Sequence, residues 1–381
     1  MIYLDNAATS YPKPNEVYNE VLRCMKNYAA NPGHGSHSMS IRASEKVAET
    51  RGEIAQLFNI SNPFTIIFTC NTTEGLNIGI KGLLSKGDHV ISTITEHNSV
   101  LRPLNFMTKK GIDMTLLGVG KNGLISLRDL RKEIKKNTKL IIINHASNVT
   151  GSVQNIKAIG QIAKEYNVLF MVDAAQSAGV IPIDVENYNI DILAFPGHKG
   201  LLGPQGTGGL YIREGLRVGF YRDGATGSNS NSIDQPDFLP DKFESGTLNT
   251  PGIAGLCEGI KYIKRVGIEN IQRHEAELCS YLLSELRKIE HIKIYGNMFM
   301  KNRCAVVSFN IEGIDSSNVG YLLNNRQIAV RTGYHCSPLI HGVMGTYGTG
   351  TVRVSPGYFN TFKDVEKLLD IIKKIILGKI T

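Results

Sequence analysis

Between about residues 64 and 212, short apolar runs rich in β-branched residues alternate with segments whose apolar positions recur at the helical period. The runs are Phe64–Thr69, His89–Thr93, Met114–Val119, Leu140–Asn144, Val168–Asp173, Ile190–Phe195 and Gly208–Ile212. All are of strand length and nearly continuous in apolar character, which predicts a buried, mainly parallel seven-stranded sheet flanked by helices. Helix starts are visible between them. Ser126 precedes Leu127, Leu130 and Ile134, and Asn155 precedes Ile156, Ile159, Ala163 and Tyr166, each in register for an N-capped amphipathic helix. A polar stretch over 219–250, dense in Gly, Ser and Asn, reads as a long loop of the kind that carries function or moves. Beyond it, helical periods over 255–289, strand-like runs at Cys304–Ile311 and Ile328–Arg331 and a closing amphipathic helix over 363–377 predict a smaller α+β domain. The expected organisation is a large α/β domain over 13–252 and a small domain built from 1–12 and 253–381.

Composition narrows the class. The 381 residues are 42% hydrophobic and 20% charged, which fits a folded chain with a real core rather than a disordered one. No apolar run approaches the ~20 residues that span a bilayer, and Met1–Asp5 lacks the basic start of a signal peptide, so a cytoplasmic protein without a membrane partner is expected. The six cysteines form no close pairs, so reduced thiols are expected, five of them as buried fillers. Much of the +8 net charge gathers in Arg128, Arg131, Lys132, Lys135, Lys136 and Lys139, read as one solvated helix face. No aromatic residues interleave with it, so no nucleic-acid partner is expected.

In an open parallel sheet, ligands bind beyond the carboxyl ends of the strands, and the residues following the apolar runs are rich in chemistry. Thr72 and Thr73 open a helix whose free amides suit a phosphate, although ordinary capping accounts for them equally. Asp173 could cap a turn or pair with a cationic ring nitrogen, and His97 could be a loop histidine or an aromatic face beside a ligand. Lys199 follows a buried run between Pro196, Gly197 and Gly200, where a surface charge is hard to explain. A lysine held there loses its proton readily and can form a Schiff base, though a structural or phosphate-pairing role stays open. The later glycines fail the dinucleotide fingerprint because position 211 is Tyr. Cys336, in Arg331-Thr332-Gly333-Tyr334-His335-Cys336-Ser337-Pro338, has Arg331 and His335 nearby to favour a thiolate and reads as a nucleophile. Arg353 could bind a carboxylate or make a structural ion pair. No metal-ligand spacing is recognised.

An aldehyde-binding lysine, a phosphate-binding helix, a ring-nitrogen aspartate, a stacking histidine and a carboxylate-binding arginine together describe pyridoxal 5'-phosphate. In their order along the chain, from Tyr3-Leu4-Asp5-Asn6-Ala7-Ala8-Thr9 to Gly357-Tyr358-Phe359-Asn360-Thr361, the sequence resembles the cysteine desulfurase and selenocysteine lyase group of class V aminotransferase-like enzymes. The resemblance implies the aspartate aminotransferase-like fold of pyridoxal phosphate-dependent transferases (fold type I). It implies that Lys199 carries the cofactor, that Asp173 holds the pyridine nitrogen and that Gln176 bonds the ring hydroxyl. It further implies that His97 stacks and moves protons, Thr72, Thr73 and His198 hold the phosphate, and Asn148 contacts cofactor or substrate. Thr247 would reach a partner's active site in a homodimer, and Arg353 with Arg331 would bind the substrate carboxylate. Cys336 would take sulfur from L-cysteine as a persulfide and pass it to an acceptor protein or thiol, leaving L-alanine. Pro196 stands where relatives usually have Ser or Thr, so one phosphate hydroxyl is missing, and either a neighbouring group compensates or the phosphate is held more weakly. A selenocysteine lyase acting on L-selenocysteine, an aminotransferase and a silent scaffold are the competing readings.

Overall fold

The computed structural model describes every residue except His34, Phe220, Ile380 and Thr381. Seven strands form one sheet in the order Ile66–Thr69, Gly208–Ile212, Ile192–Pro196, Leu169–Asp173, Thr138–Asn144, His89–Thr93 and Asp113–Leu117. Only Gly208–Ile212 runs against its neighbours, so the other six strands, Ile66–Thr69 included, end at the same edge. The runs are continuous in apolar character because both faces are covered. Ile141, Phe170, Val172, Leu193 and Phe195 pack into one core, while Leu140, Ile142, Met171, Ile192 and Ala194 point into the other. Each such side chain contributes roughly 1.5–3 kcal/mol of burial.

A second, antiparallel sheet has the order Arg331–Gly333, Thr351–Val354, Val307–Ile311 and Ile292–Tyr295. Its core takes Leu278, Leu282 and Leu286 from helix Ile268–Leu286 and Leu368, Ile372 and Ile375 from helix Phe362–Ile376. The chain start joins this unit, since Ile2–Tyr3 pairs with Ile328–Ala329 and Asp5 bridges to Ser355. Helix Thr250–Val266 packs instead on helices Asn15–Asn27 and Ser38–Phe58 and sends Ile253, Leu256 and Ile260 into the large sheet's core.

Ser126 and Asn155 cap their helices through the side-chain oxygen, as expected. The segment 255–289 is two helices rather than one, broken at Gly267, whose φ of 90° suits a residue without Cβ. The basic cluster also differs from expectation. Its helix ends at Glu133 and Lys139 lies in a strand, so the charges share no single face; Arg131 pairs with Glu165 at 2.5 Å and Lys135 with Asp113 at 2.6 Å. Cys70 is exposed rather than a buried filler. Among the described residues no helix is long and apolar enough to cross a membrane.

Candidate active site

The shared edge of the parallel strands opens on a cavity of about 240 Å³. Of the residues singled out from sequence, Thr72, Thr73, His97, Asn148, Asp173, Gln176, His198, Lys199 and Arg331 line it. Arg353, Cys336 and Thr247 are not among the lining residues.

Lys199 sits on the turn after strand Ile192–Pro196, where close backbone approach demands glycine. A Cβ on Gly197 would meet the Thr207 hydroxyl oxygen at 2.1 Å, and one on Gly200 the Ala178 carbonyl oxygen at 2.4 Å. The chain start holds the turn from outside. Thr9 Oγ1 and Lys13 Nζ donate to the His198 carbonyl at 3.0 and 2.6 Å, and Ser10 Oγ donates to the Lys199 carbonyl at 2.9 Å. Burial, then the nearby Arg353 charge, push the Lys199 ammonium down to about 8, so a neutral amine is within reach at physiological pH.

Asp173 ends its strand with Oδ1 accepting the Ala175 amide at 2.9 Å, and burial pushes its carboxyl up to about 6. Glu96 is fully buried; its Oε1 accepts from Thr93 Oγ1 at 2.7 Å and from the Asn144 amide at 3.0 Å, and among the described residues Oε2 has no partner. Burial raises that carboxyl to about 8, a protonated acid at neutral pH. His97 caps helix Asn98–Thr108, Nδ1 accepting the Ser99 amide at 3.1 Å. Burial, then the Lys199 charge, hold it down to about 4, so the ring is neutral with its proton on Nε2. Gln176 Nε2 donates to the Ala7 carbonyl at 2.9 Å.

At one end of the cavity lies the start of helix Thr72–Leu83, whose first amides have no intrahelical acceptor. Beside it the Thr73 and Ser99 hydroxyls are 2.8 Å apart, and the buried His198 Nδ1 has no partner among the described residues. Anion donors, a buried carboxyl, a neutral aromatic ring and a deprotonable lysine on the lining of one cavity fit pyridoxal phosphate.

The Cys336 turn comes from the small sheet. Arg331 Nη2 donates to Cys336 Sγ at 3.2 Å, which ties the sulfur to a cavity-lining guanidinium. His335 and Cys336 have φ of 51° and 62°, two consecutive left-handed residues that cost ~1–2 kcal/mol each. The expectation that His335 favours a thiolate fails. Burial drives its ring to about 2, it is neutral, and Nε2 pairs with Thr351 Oγ1 at 2.9 Å.

Arg353, expected on the substrate carboxylate, is fully buried, pairing with Asp5 Oδ1 at 2.7 Å and donating to the Asn148 carbonyl at 3.1 Å. In the ladder it stands opposite Arg331, so Asp5 offsets one of two facing positive charges. Thr247 is exposed. Ser99, Asp5 and Glu96 were given no role from sequence. A helix-start serine after Glu96-His97-Asn98 was the available signal for Ser99, whereas nothing local in the sequence joins Asp5 to Arg353.

The class-V aminotransferase family model matches residues 2–368. A probable cysteine desulfurase of Methanothermobacter thermautotrophicus is 35% identical, with 98% of this chain and 94% of the relative covered. One from Pyrococcus abyssi is 35% identical, with 99% and 94% covered. Among solved structures, the apo cysteine desulfurase of Thermococcus onnurineus superposes with a TM-score of 0.93 at 35% identity, covering 99% of this chain and 95% of that one. The cysteine desulfurase CsdA of Escherichia coli gives 0.90 at 27% identity, covering 100% and 95%. With its fold, its cavity and these likenesses in agreement, the chain belongs to the class-V aminotransferase family, among the cysteine desulfurases.

Proposed function

We propose that this protein is a pyridoxal phosphate-dependent cysteine desulfurase that converts L-cysteine to L-alanine and collects the sulfur as a persulfide on Cys336. When bound, the cofactor supplies an aldehyde that captures amines and a ring that accepts electrons from the captured carbon. Lys199 would hold the cofactor, and its amine would move a proton at the substrate α-carbon; its lowered proton affinity suits both tasks. Asp173 would pair as a carboxylate with the ring nitrogen, the neutral His97 ring would stack on the cofactor and offer Nε2–H, Gln176 would bond the ring hydroxyl, and Asn148 would contact cofactor or substrate. Phosphate falls to the first amides of helix Thr72–Leu83 with Thr72, Thr73 and His198. Ser99, beside Thr73, supplies the hydroxyl that Pro196 lacks.

Arg331 receives the substrate carboxylate, with Arg353 behind it adding positive charge. The Cys336 sulfur then bonds to the substrate sulfur as the carbon–sulfur bond breaks. The carbon fragment keeps the electron pair, takes a proton and leaves as alanine. Cys336 is partly exposed, which lets an acceptor thiol, free or on a partner protein, remove the persulfide sulfur. The observation that carries this reading is one cavity gathering Lys199, Asp173 and His97 with Arg331, whose guanidinium also holds the Cys336 sulfur.

We also propose a homodimer in which Thr247 serves the neighbouring subunit. Support comes from Thr247 lying exposed outside its own cavity and from exposed Tyr18, Leu22, Met25, Met39 and Ile41 on two adjacent helices. The test is the absorption spectrum of protein loaded with pyridoxal phosphate, with L-cysteine added and alanine assayed. A visible band that changes with cysteine as alanine forms supports the reading. Turnover that demands a 2-oxo acid moves it to transamination, and alanine from L-selenocysteine alone moves it to a lyase.

A further inference from the structure

Two consecutive left-handed residues at the nucleophile need something to hold them, and each carbonyl of the turn is accounted for. The Tyr334 carbonyl accepts from the Ser337 amide at 3.0 Å, and the Cys336 carbonyl accepts from the Asn98 amide at 2.7 Å. Between them the His335 carbonyl accepts from Asn148 Nδ2 at 2.6 Å, and the buried Ser337 hydroxyl donates to Asn148 Oδ1 at 2.8 Å. Asn148 belongs to the loop after strand Thr138–Asn144 and lines the cavity, yet both ends of its amide are spent on the residues either side of Cys336.

We propose that Ser337 and Asn148 form a latch between the large sheet and the nucleophile turn, which makes Ser337 a positioning residue for Cys336. The role rests on the desulfurase reading, because a positioned sulfur matters only if Cys336 accepts sulfur. The latch sets where the thiol stands relative to Arg331 and the cavity.

Ser337→Ala removes the hydroxyl and leaves every side chain that lines the cavity in place. Peptide-resolved alkylation by iodoacetamide, with exposed Cys70 as internal reference, reads the turn directly. We expect Cys336 in Ser337→Ala to react roughly threefold to tenfold faster than in the parent, the ratio set by one net hydrogen bond, with Cys70 unchanged. The kcat for alanine formation falls by a similar factor, while KM for L-cysteine and the visible absorbance stay at the parent's values. In an Asn148→Ala background, adding Ser337→Ala changes the alkylation rate no further. Equal Cys336 alkylation in parent and Ser337→Ala, or additive effects in the double variant, overturns the latch. Because alkylation needs no turnover, a parent that makes no alanine contradicts the desulfurase reading separately and leaves the alkylation comparison to decide the latch.

Discussion

At Lys199 a buried strand delivers an amine into the cavity, and the chemistry follows from that placement. Lys199→Ala should lose the cofactor's visible absorbance, with spectra after reconstitution and gel filtration as the check. Because burial pushes the lysine down to about 8, capture of pyridoxal phosphate by stripped protein should speed up as pH rises and level off above about 8. A stopped-flow pH series that stays flat between 6 and 9 would contradict that reading. Lys199, Asp173 and His97 could be singled out in sequence because each lies at or just beyond the end of an apolar run of strand length, whereas their roles came only from the family resemblance. The partner of Arg353 was not, since Asp5 lies 348 residues away and only the closing of the small sheet brings the two together. His335 also misled, for its neighbour Cys336 says nothing about burial against Thr351.

On the scale of the element, the strand-to-turn junctions matter most. Gly197→Ala drives a Cβ into Thr207 and should displace the Lys199 turn, so cofactor retention falls sharply while the far-UV circular dichroism stays native-like. Glu96, at the end of its own strand loop, gives a pH signature. Its folded-state value is raised from 4.5 to about 8, so the stability it contributes is fully present below 4.5 and is lost as pH rises through about 8. Glu96→Gln keeps the shape without the titration, so its urea midpoint should gain on the parent's between pH 5 and 8; a constant difference would contradict the assignment. Strand centres were readable because both faces are buried. Ends drifted where capping and sheet register decide them, as at Pro63–Thr65, which forms a 3₁₀ turn before Ile66. The basic cluster was misread because charge spacing alone does not show that the helix stops at Glu133.

Across the whole molecule, the candidate active site is a junction between two sheets. The large sheet supplies the cavity, the small sheet supplies Arg331 and Cys336, and the chain start ties both through the Lys199 turn and the Asp5–Arg353 pair. Removing one partner of such a buried pair leaves an uncompensated charge, here with Arg331 opposite, so Asp5→Asn should cost about 3 kcal/mol in denaturant-unfolding measurements. An effect near zero would mean that Arg331 and Arg353 are screened by something other than Asp5. Analytical ultracentrifugation should give a dimer, and Thr247→Ala should weaken cofactor retention without dissociating it. That a large sheet unit is followed by a smaller α+β unit was visible in the change of pattern after the long polar loop, but not that helix Thr250–Val266 packs on the large sheet's core, nor the seam, which is made by single residues distant in sequence.

The central claim is that Cys336 takes sulfur from the substrate, and intact-mass and peptide mass spectrometry after one equivalent of L-cysteine tests it directly. The expected result is one added sulfur on the Cys336 peptide, one alanine released per sulfur gained, and neither sulfur addition nor comparable alanine in a Cys336→Ala variant that still binds pyridoxal phosphate. Alanine formed at the parent's rate by that variant, or added sulfur found on another cysteine, would contradict it.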